Sequence, residues 1–494
     1  MDLFTLFNSY FFLNFTIFIL AVYILCSICF NIYFNTSEGY AYPPLLNTST
    51  QISKYILFFI LLLLIFKIDF SFNGLVDTAF ALNEVFQLIF LTSAICVFFI
   101  IGDYYPSRFI NKFEYDIVLI FALFGSFNLC FSNDFLLIYL SIELQSLCMY
   151  ILATFQRNSE YSTEAGLKYF VLGSVVSCLL LLGFLLLYLT AGSTCFEFIN
   201  NLISSKSNTP FIGLIFVLCA FIFKVGGAPF HFWLCDVYEG SLISSTLFFS
   251  AVPKIIIFSI ILNISQQTFF LFNDSWFYLF FVSSLLSIII GSIGGLYQKR
   301  LKRLLAYSTI AHTGFILLGF LGNNPESLKS ITFYISIYTI LTLSVFCIIF
   351  ACLISTKIFP KYIVRWTSSA LKNIVFIGSF TLILFSIAGI PPLVGFFSKF
   401  FVLFSVITQH FYVTSIIVVV FSGVACYYYI RLIKTFFFHK TKKNYLWLST
   451  NKTQNIEFIL AGTLFFNVFF FLNQIHYQYF VLLIVWLFFR WVIA

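Results

Sequence analysis

The stretch Phe223-Lys224-Val225-Gly226-Gly227-Ala228-Pro229 places a lysine, two glycines and a proline at the end of an apolar run that begins near residue 211. A second apolar run, 374–408, is interrupted by Ala388-Gly389-Ile390-Pro391-Pro392, and Lys399 follows in its later half. Proline removes a backbone donor and clashes with the preceding turn, so both runs are predicted to be broken helices. At membrane depth such backbone is tolerated only where it is buried in protein or lines a wet cavity.

The composition is that of an integral membrane protein. Of the 494 residues, 61% are hydrophobic and only 9% are charged, whereas a soluble domain is about 25% charged. Apolar runs recur without a long polar segment between them, so we predict an all-α integral membrane protein with about fourteen transmembrane helices. A further apolar run at 475–492 is either an extra span or an extension of the last one. The net charge of +8 is spread over many short links, which argues against a nucleic-acid partner.

The distribution of basic residues predicts the orientation. Links after odd-numbered runs, with the adjoining run ends, hold nineteen lysines and arginines, whereas links after even-numbered runs hold only Lys67, Lys206 and Lys329. By the positive-inside rule, the odd-numbered links face the cytoplasm or the mitochondrial matrix, and the N-terminus faces the opposite side.

The spacing of the two breaks predicts an internal repeat. They lie five runs apart, an odd number, so two five-helix units that contain them would be related by inversion. We therefore predict helices 1–3 in residues 1–110, a first repeat in 111–265, a second repeat in 266–436, and one or two C-terminal helices in 437–494. Transporters with broken helices commonly have this build, with a site near the membrane midplane.

Four ionisable side chains lie deep within predicted spans: Glu143, Lys224, Lys254 and Lys399. An isolated charge at the bilayer centre costs about 3 kcal/mol or more, so each is a functional-site candidate. Lys399 is predicted to be the counterpart of Lys224 in the second half. Structural alternatives stay open: a hydrogen-bonded packing acid for Glu143, and a side chain that reaches the membrane surface for each lysine.

Histidines and acids near these spans are weaker candidates. His312 follows the charged cluster near residue 300 by about three turns, and either extends a polar relay or packs as a hydrogen-bonded histidine. His231, Asp236 and Glu239 lie just past the first break. They either form a proton entry or belong to a solvated loop with structural ion pairs.

Motifs for nucleotides and redox centres are missing from the sequence. Cys26 and Cys29 form a lone C-x-x-C in the first apolar run, which is typical of small packing residues rather than a metal site. No P-loop, no G-x-G-x-x-G between a strand and a helix, and no iron–sulfur or haem spacing occurs. The polypeptide is therefore not expected to carry electrons or hydrolyse a nucleotide, and its driving force must come from partners or an ion gradient.

The motifs together resemble the antiporter-like membrane subunits of respiratory complex I, NADH:ubiquinone oxidoreductase. The resemblance runs from about residue 110 to 400. It is carried by Ser132-Asn133-Asp134, Leu140-Ser141-Ile142-Glu143-Leu144-Gln145-Ser146-Leu147, Glu164-Ala165-Gly166-Leu167-Lys168-Tyr169-Phe170, both breaks with their lysines, Asp236-Val237-Tyr238-Glu239-Gly240, Val252-Pro253-Lys254 and Lys302-Arg303-Leu304-Leu305-Ala306-Tyr307-Ser308-Thr309-Ile310-Ala311-His312. Within that family, the stretch 164–170 and Lys399 resemble subunit 2, and the resemblance implies that the chain is mitochondrially encoded. The family often has proline where Cys235 and Leu242 stand here.

The resemblance implies roles and surroundings. Glu143, Lys224, Lys254 and Lys399 would be the coupling glutamate, the broken-helix lysine, the connecting lysine and the distal lysine of a proton path. The chain would lie in the mitochondrial inner membrane with its basic links in the matrix and its N-terminus in the intermembrane space. Its partners would be other membrane-arm subunits, including neighbouring antiporter-like ones, and lipids. NADH, FMN, iron–sulfur clusters and ubiquinone would be bound by other subunits, with no cofactor in this chain.

The expected function is proton translocation along a hydrated Glu/Lys axis, driven by electron transfer in other subunits. A change in the Glu143–Lys224 pairing would alter the affinity of Lys224 for its proton, which would then pass through Lys254 towards Lys399. Two alternatives stay open. In the first, the chain is a subunit of a multisubunit cation/proton antiporter, whose subunits share these motifs. In the second, it is an inert structural scaffold of the membrane arm.

Overall fold

Helices account for most of the structure. The computed structural model describes residues 3–34, 43–72, 78–108, 114–196, 209–265, 273–322, 324–356, 361–363, 374–438 and 454–470. The helices in these ranges are α1 Leu3–Phe34, α2 Pro43–Phe72, α3 Thr78–Arg108, α4 Glu114–Cys130, α5 Phe135–Ala153, α6 Glu160–Ala191, α7 Thr209–Val225, α8 Phe232–Gly240, α9 Ile243–Asn263, α10 Asn273–Leu296, α11 Leu301–Gly319, α12 Pro325–Thr356, α13 Ile374–Ala388, α14 Val394–Ile407, α15 Tyr412–Phe438 and α16 Gln454–Phe469.

The helix lengths confirm a multi-pass membrane protein. In the part of the chain that is described, eight helices are long and apolar enough to cross a membrane: α3, α5, α6, α9, α10, α11, α12 and α15. Shorter apolar stretches lie in α1, α2, α7, α13 and α14. The pairs α7–α8 and α13–α14 are separated where the sequence predicts breaks, around Pro229 and Pro391. The apolar run at 475–492 lies outside the described residues.

The chain divides into two compact units. The first comprises Met1–Phe221 and Gly240–Asn273, and the second comprises Ile222–Glu239 and Asp274–Ala494. Within the first unit, α4 packs against α1 and α5, and α9 packs against α3 and α4. Within the second unit, α12 packs against α14 and α16, and α13 packs against α15.

Burial shows which helices lie at the centre of each unit. Every residue of α9 from Ile243 to Leu262 is buried, and α12 is almost as completely enclosed. By contrast, more than half of the apolar length of α6 and of α15 is uncovered. Because a helix that is apolar all round is stable only when enclosed by protein or lipid, α6 and α15 are outer helices and α9 and α12 are inner ones.

Candidate functional site

The two breaks share one local geometry, which follows from a glycine at the same place in each. Gly226 and Gly389 both adopt the left-handed conformation, with φ of 84° and 87°. The N–H of Gly226 donates to Phe223 at 2.9 Å, and that of Gly227 donates to Ile222 at 2.9 Å. This is a Schellman motif, in which a left-handed residue ends a helix and satisfies two of its last four carbonyls.

The second break repeats this motif. The N–H of Gly389 donates to Ser386 at 3.0 Å, and that of Ile390 donates to Phe385 at 3.1 Å. A cis proline lies three residues after each glycine, at Pro229 and at Pro392. The two helix ends can therefore be aligned residue by residue, with Gly226 matched to Gly389.

Lys399 donates hydrogen bonds to the two last carbonyls of α13, which the second Schellman motif does not satisfy. Its Nζ donates to the Ile387 carbonyl at 3.0 Å and to the Ala388 carbonyl at 2.7 Å. The same ammonium lies 5.6 Å from the centroid of the Phe315 ring, within cation–π range. A cation at the C-terminal end of a helix is also favoured by the helix dipole. The lysine of α14 thus closes the end of α13.

Lys224 occupies a different place at the first break. It lies two residues before Gly226, in the last turn of α7, so its positional match in the second break is Ile387 and not Lys399. Lys224 thus precedes its glycine, whereas Lys399 follows its own by ten residues, and a shared role for the two lysines stays a prediction. The Lys224 Nζ is buried from solvent.

At the first break, the indole of Trp233 donates to a helix-end carbonyl, as the Lys399 ammonium does at the second break. Trp233 Nε1 donates to the Phe223 carbonyl at 3.0 Å, and the two rings stack with centroids 5.5 Å apart. Trp233 lies on α8, a nine-residue helix with Leu234 and Val237 also buried. The segment after the first break is thus a largely buried helix and not a solvated loop.

The charges on α8 are ion-paired, as one of the two sequence interpretations expected. Asp236 accepts from Arg303 at 2.8 Å, and Glu239 accepts from Arg303 at 2.9 Å and also pairs with Arg300. His231 is buried, and its Nδ1 lies 3.2 Å from the Pro229 carbonyl. These pairs tie α8 to the start of α11, so their evident role is structural.

Lys254 lies at the centre of the first unit. The residue lies on α9 and is 4% exposed, and its Nζ is shielded from solvent. Pro253 has no N–H, so the carbonyl of Phe249, four residues earlier, lacks its helical donor. A lysine that is enclosed to this degree cannot extend its ammonium to the membrane surface.

Glu143 lies on an outward side of α5. It is half-buried, and its Oε2 is shielded from solvent without a hydrogen-bond partner among the described residues. Leu140 and Leu147, one turn before and after it, are 55% and 48% exposed. This face, with Leu136 and Ile151 also about half exposed, is the Glu143 face. The carboxylate therefore borders a surface that the chain itself leaves uncovered.

His312 belongs to a cluster of buried tyrosines in the second unit. Its Nδ1 lies 2.8 Å from the hydroxyl of Tyr334, which is 2% exposed. The Tyr338 ring centroid lies 5.6 Å from the imidazole. Farther along, the Tyr428 hydroxyl donates to the Tyr429 hydroxyl at 3.3 Å. The structure thus gives His312 a polar partner, as either sequence interpretation requires.

Sequence reasoning missed three charges in the first unit that are shielded from solvent: Asp116 is buried, and Lys54 and Asp103 are half-buried. Each stands near the end of an apolar run, where a charge normally lies in water, so no local signal distinguishes them. Trp233 was also not predicted to be a hydrogen-bond donor, because a tryptophan in an apolar stretch is usually interpreted as a packing residue. Among the described residues, no three His, Cys, Asp or Glu side chains are grouped as a metal site requires.

Comparison with known proteins places this arrangement in a family. The profile described as NADH:quinone oxidoreductase/Mrp antiporter, TM, matches residues 132–425, a segment that contains both breaks and all four candidate residues. The chain belongs to this family. It is 35% identical over 482 residues to NADH-ubiquinone oxidoreductase chain 2 of Marchantia polymorpha, covering 95% of this chain and 96% of that protein.

Other members of the family agree with this assignment. The chain is 35% identical over 412 residues to NADH-quinone oxidoreductase subunit N of Pelagibacter ubique, covering 80% of this chain and 87% of that protein. A chain of Thermus thermophilus respiratory complex I has the same fold, with a TM-score of 0.75 at 24% identity, covering 93% of this chain and 98% of that one. A chain of the Mrp complex from Dietzia sp. gives 0.74 at 18% identity, covering 86% and 80%.

Proposed function

We propose that this chain is the subunit 2-type membrane-arm subunit of NADH:ubiquinone oxidoreductase, and that it moves protons across the mitochondrial inner membrane. The similarity to chain 2 of Marchantia polymorpha over nearly the full length of both proteins supports the assignment. The observation that carries the mechanism is the contact of the Lys399 ammonium with the last two carbonyls of α13.

That contact couples a proton to the shape of a helix break. An ammonium that donates to carbonyls makes charge-assisted hydrogen bonds, each worth about 1.5–3 kcal/mol. When Lys399 gives up its proton, the positive charge and one donor are lost at the point where α13 is discontinuous. The stability of the break then depends on proton occupancy, which is what a translocation step requires.

Lys254 and Glu143 supply further proton-binding positions in the first unit. Both are ionisable groups with atoms shielded from solvent, on an inner helix and an outer helix respectively. A charge in such an environment is costly, so each group is sensitive to nearby charge: opposite charges 4 Å apart at an effective dielectric of 20 interact by about 4 kcal/mol. The Glu143–Lys224 pairing stays a prediction, as do the roles of all four residues and of His312.

We further propose about fourteen transmembrane helices with two inverted five-helix repeats in residues 111–265 and 266–436. The support is the equality of the two breaks, since both have a left-handed glycine and a Schellman motif. Fragments related by inversion are a common build for proteins with broken helices. The basic links would face the matrix and the N-terminus the intermembrane space.

The partners follow from the same assignment. The Glu143 face is apolar and uncovered, and a carboxylate on such a face favours a neighbouring membrane subunit over lipid alone. We propose that antiporter-like subunits and lipids cover it. NADH, FMN, iron–sulfur clusters and ubiquinone would be held by other subunits, so this chain would contribute to the enzyme without a redox centre.

The test replaces the candidate residues in the assembled complex and counts protons translocated per NADH oxidised in sealed vesicles. Glu143→Gln, Lys224→Met and Lys399→Met are expected to assemble and to lower this ratio. Lys329→Met removes an exposed lysine near the start of α12 and is the matched control, with the ratio unchanged. Full stoichiometry in all three assembled variants would reject the mechanism.

A second candidate function, cation/proton exchange, is favoured by the likeness in fold to a chain of the Mrp complex. It predicts exchange that depends on sodium and continues without NADH oxidation. Measuring the pH inside vesicles after a sodium pulse separates the two functions, because NADH-driven pumping without sodium dependence excludes the exchanger. A scaffold role is chosen only if isosteric replacement of all four residues leaves coupled turnover intact.

A further inference from the structure

The carbonyl at the second helix break accepts hydrogen bonds from two other helices. Ala388 is the last residue of α13, and its carbonyl accepts from the Lys399 ammonium on α14 at 2.7 Å. The same carbonyl accepts from the Cys426 thiol on α15 at 3.2 Å. Two donors of different chemistry thus meet on one oxygen, which has two lone pairs to receive them.

The two donors differ in how they depend on a bound proton. A protonated lysine is a charged donor and makes charge-assisted hydrogen bonds. A thiol is a weak, neutral donor. When Lys399 gives up its proton, the charge-assisted bond to Ala388 is lost, but the thiol still faces the same carbonyl. Cys426 therefore supplies the end of α13 with a donor that remains whether or not Lys399 carries its proton.

Charged groups are few around Lys399. Of the helices that pack against α14, α13 contains no ionisable residue, and within α14 itself Lys399 is the only one. The charged residues of α11, α12 and α16 lie near the N-terminal end of each helix, at Lys302, Arg303, Glu326, Lys329 and Glu457. His312 on α11 is bound to the hydroxyl of Tyr334 on α12. Among the side chains that the structure describes, Cys426 is the titratable one that interacts electrostatically with Lys399.

The position of the thiol is fixed by other contacts of α15. Arg431, five residues after Cys426, donates to the carbonyls of Leu296 and Gln298 at 2.6 and 2.7 Å. These bonds fasten α15 to the end of α10, and α15 also packs along α13. Cys426 is half-buried. The sulfur is therefore held beside α13 by its own helix, and its place does not depend on Lys399.

We propose that Cys426 is a positioning residue for Lys399, which holds the end of α13 in place while the lysine is without its proton. The inference rests on the proposed function, in which Lys399 binds and releases protons at the break. With the ammonium present, Lys399 itself occupies the carbonyls of Ile387 and Ala388. With the proton gone, the thiol bond keeps the Ala388 carbonyl near the lysine, so the next proton is bound in the same geometry.

The effect of removing the thiol has a definite sign. Without it, the break relaxes when Lys399 is neutral, whereas the ammonium still closes the break when Lys399 is protonated. Relaxation lowers the free energy of the neutral form alone, so the variant binds the proton less tightly. The alkaline limb of its pH profile should move to lower pH by about half a unit, which is about 0.7 kcal/mol at about 1.36 kcal/mol per unit.

The test uses the assembled complex in sealed vesicles, with protons translocated per NADH oxidised measured over a range of pH. Cys426→Ala should keep the wild-type ratio at the acid end of the range and lose it at a lower pH than the wild type does. Cys426→Val removes the donor but restores most of the volume, and should give the same profile as Cys426→Ala.

A serine on the same helix provides the matched control. Ser422 lies one turn before Cys426 and donates within its own helix to the Val419 carbonyl at 2.7 Å. Ser422→Ala therefore removes a polar donor from α15 without touching the break. Its pH profile should superpose on that of the wild type.

Each outcome decides between the claims. Wild-type profiles in both Cys426 variants overturn the proposal and leave the proposed function standing. A shift in Cys426→Ala that is absent in Cys426→Val also overturns it, because volume and not the donor then matters, as does a ratio lowered equally at every pH. If Cys426→Ala does not assemble, Cys426→Val decides alone. A wild-type ratio in Lys399→Met at every pH overturns the proposed function itself.

The S–H stretch of the thiol gives a readout that a packing role would not move. Thiols absorb in an infrared region that other protein groups leave clear, and the difference between the wild-type and Cys426→Ala spectra isolates the Cys426 band. As Lys399 loses its proton with rising pH, the thiol bond to Ala388 should strengthen and the band should move to lower wavenumber. In Lys399→Met the band should not move with pH. A band that is fixed in the wild type, while Lys399→Met still lowers the proton ratio, overturns the proposal and not the proposed function.

Discussion

The Lys399 ammonium donates a 2.7 Å hydrogen bond to the carbonyl of Ala388, the last residue of α13. Eleven residues and a break in the helix separate the two groups along the chain. The half-helix after the break thus completes the helix end before it. The proton on Lys399 therefore also stabilises the break. Its loss should weaken the hydrogen bonds at the C-terminal end of α13.

The space for this contact is made by Gly389, which leads to a first prediction. Its φ of 87° is unfavourable for any residue with a Cβ, and that atom would lie 2.9 Å from Lys399 Cδ and 3.1 Å from Nζ. Gly389→Ala is expected to cost about 1–3 kcal/mol of local stability and to displace the ammonium. Protons translocated per NADH oxidised should fall in the assembled complex.

A glycine on the same helix supplies the control for that variant. A Cβ added at Gly378 meets nothing within 4 Å, and alanine is favoured over glycine in a helix by about 1 kcal/mol. Gly378→Ala should leave both assembly and the proton ratio unchanged. Equal ratios in the two glycine variants would show that the Lys399 contact is dispensable.

The indole of Trp233 allows a second prediction at the first break. Trp233→Phe keeps an aromatic ring against Phe223 but removes the donor that lies 3.0 Å from its carbonyl. The Gly226 N–H still serves that carbonyl, so the expected loss is one net hydrogen bond, about 0.5–1.5 kcal/mol. The thermal release of this subunit from the purified complex should occur at a lower temperature. An unchanged release temperature would mean that the contact adds no stability.

The ion pairs between α8 and α11 give a third prediction, by a double-mutant cycle. Glu239 has a side-chain exposure of only 17% and contacts both Arg300 and Arg303. Pairs shielded from water in this way are coupled more strongly than exposed pairs, which contribute about 0–1 kcal/mol. Glu239→Gln and Arg303→Met should each destabilise the complex, and the double variant should lose less than the two added together.

An exposed pair on α6 is the matched comparison for this cycle. Lys168 and Glu164 approach to 2.7 Å, but their side chains are 46% and 62% exposed. Their coupling should be smaller and should decline further at high salt, because exposed charges are screened. A coupling for Glu239 and Arg303 no larger than that of the α6 pair contradicts the structural role given to them here.

The sequence predicted the breaks because glycine and proline act on the backbone locally. Gly226 and Gly389, each followed by proline within three residues, combine a residue that favours the left-handed conformation with one that cannot continue the helix. The burial of Lys254 was likewise predictable, since its run continues for about two turns or more on either side. These features depend only on neighbours along the chain.

Features that depend on distant parts of the chain were not predicted. Side-chain packing decides which helix end Lys399 contacts. From the sequence alone, Lys399 was predicted only to be the counterpart of Lys224. Asp116 looked like a surface acid at a helix start, yet α1 and α2 cover it. Trp233 and Arg303 likewise acquire their roles only through contacts formed on folding.

The contact between His312 and Tyr334 allows a last prediction. A variant of Tyr334 decides whether the histidine relays protons or only packs. Tyr334→Phe retains the ring that stacks on Phe315 with centroids 5.9 Å apart, and removes only the hydroxyl 2.8 Å from His312 Nδ1. If the pair relays protons, the ratio of protons to NADH should fall as it does in Lys399→Met, and we expect this result. If His312 only packs, the ratio should keep its wild-type value while stability drops by about 1–3 kcal/mol, because a buried nitrogen loses its partner. Measuring both quantities on one preparation therefore separates conduction from packing, since a packing role leaves the ratio of an assembled complex unchanged.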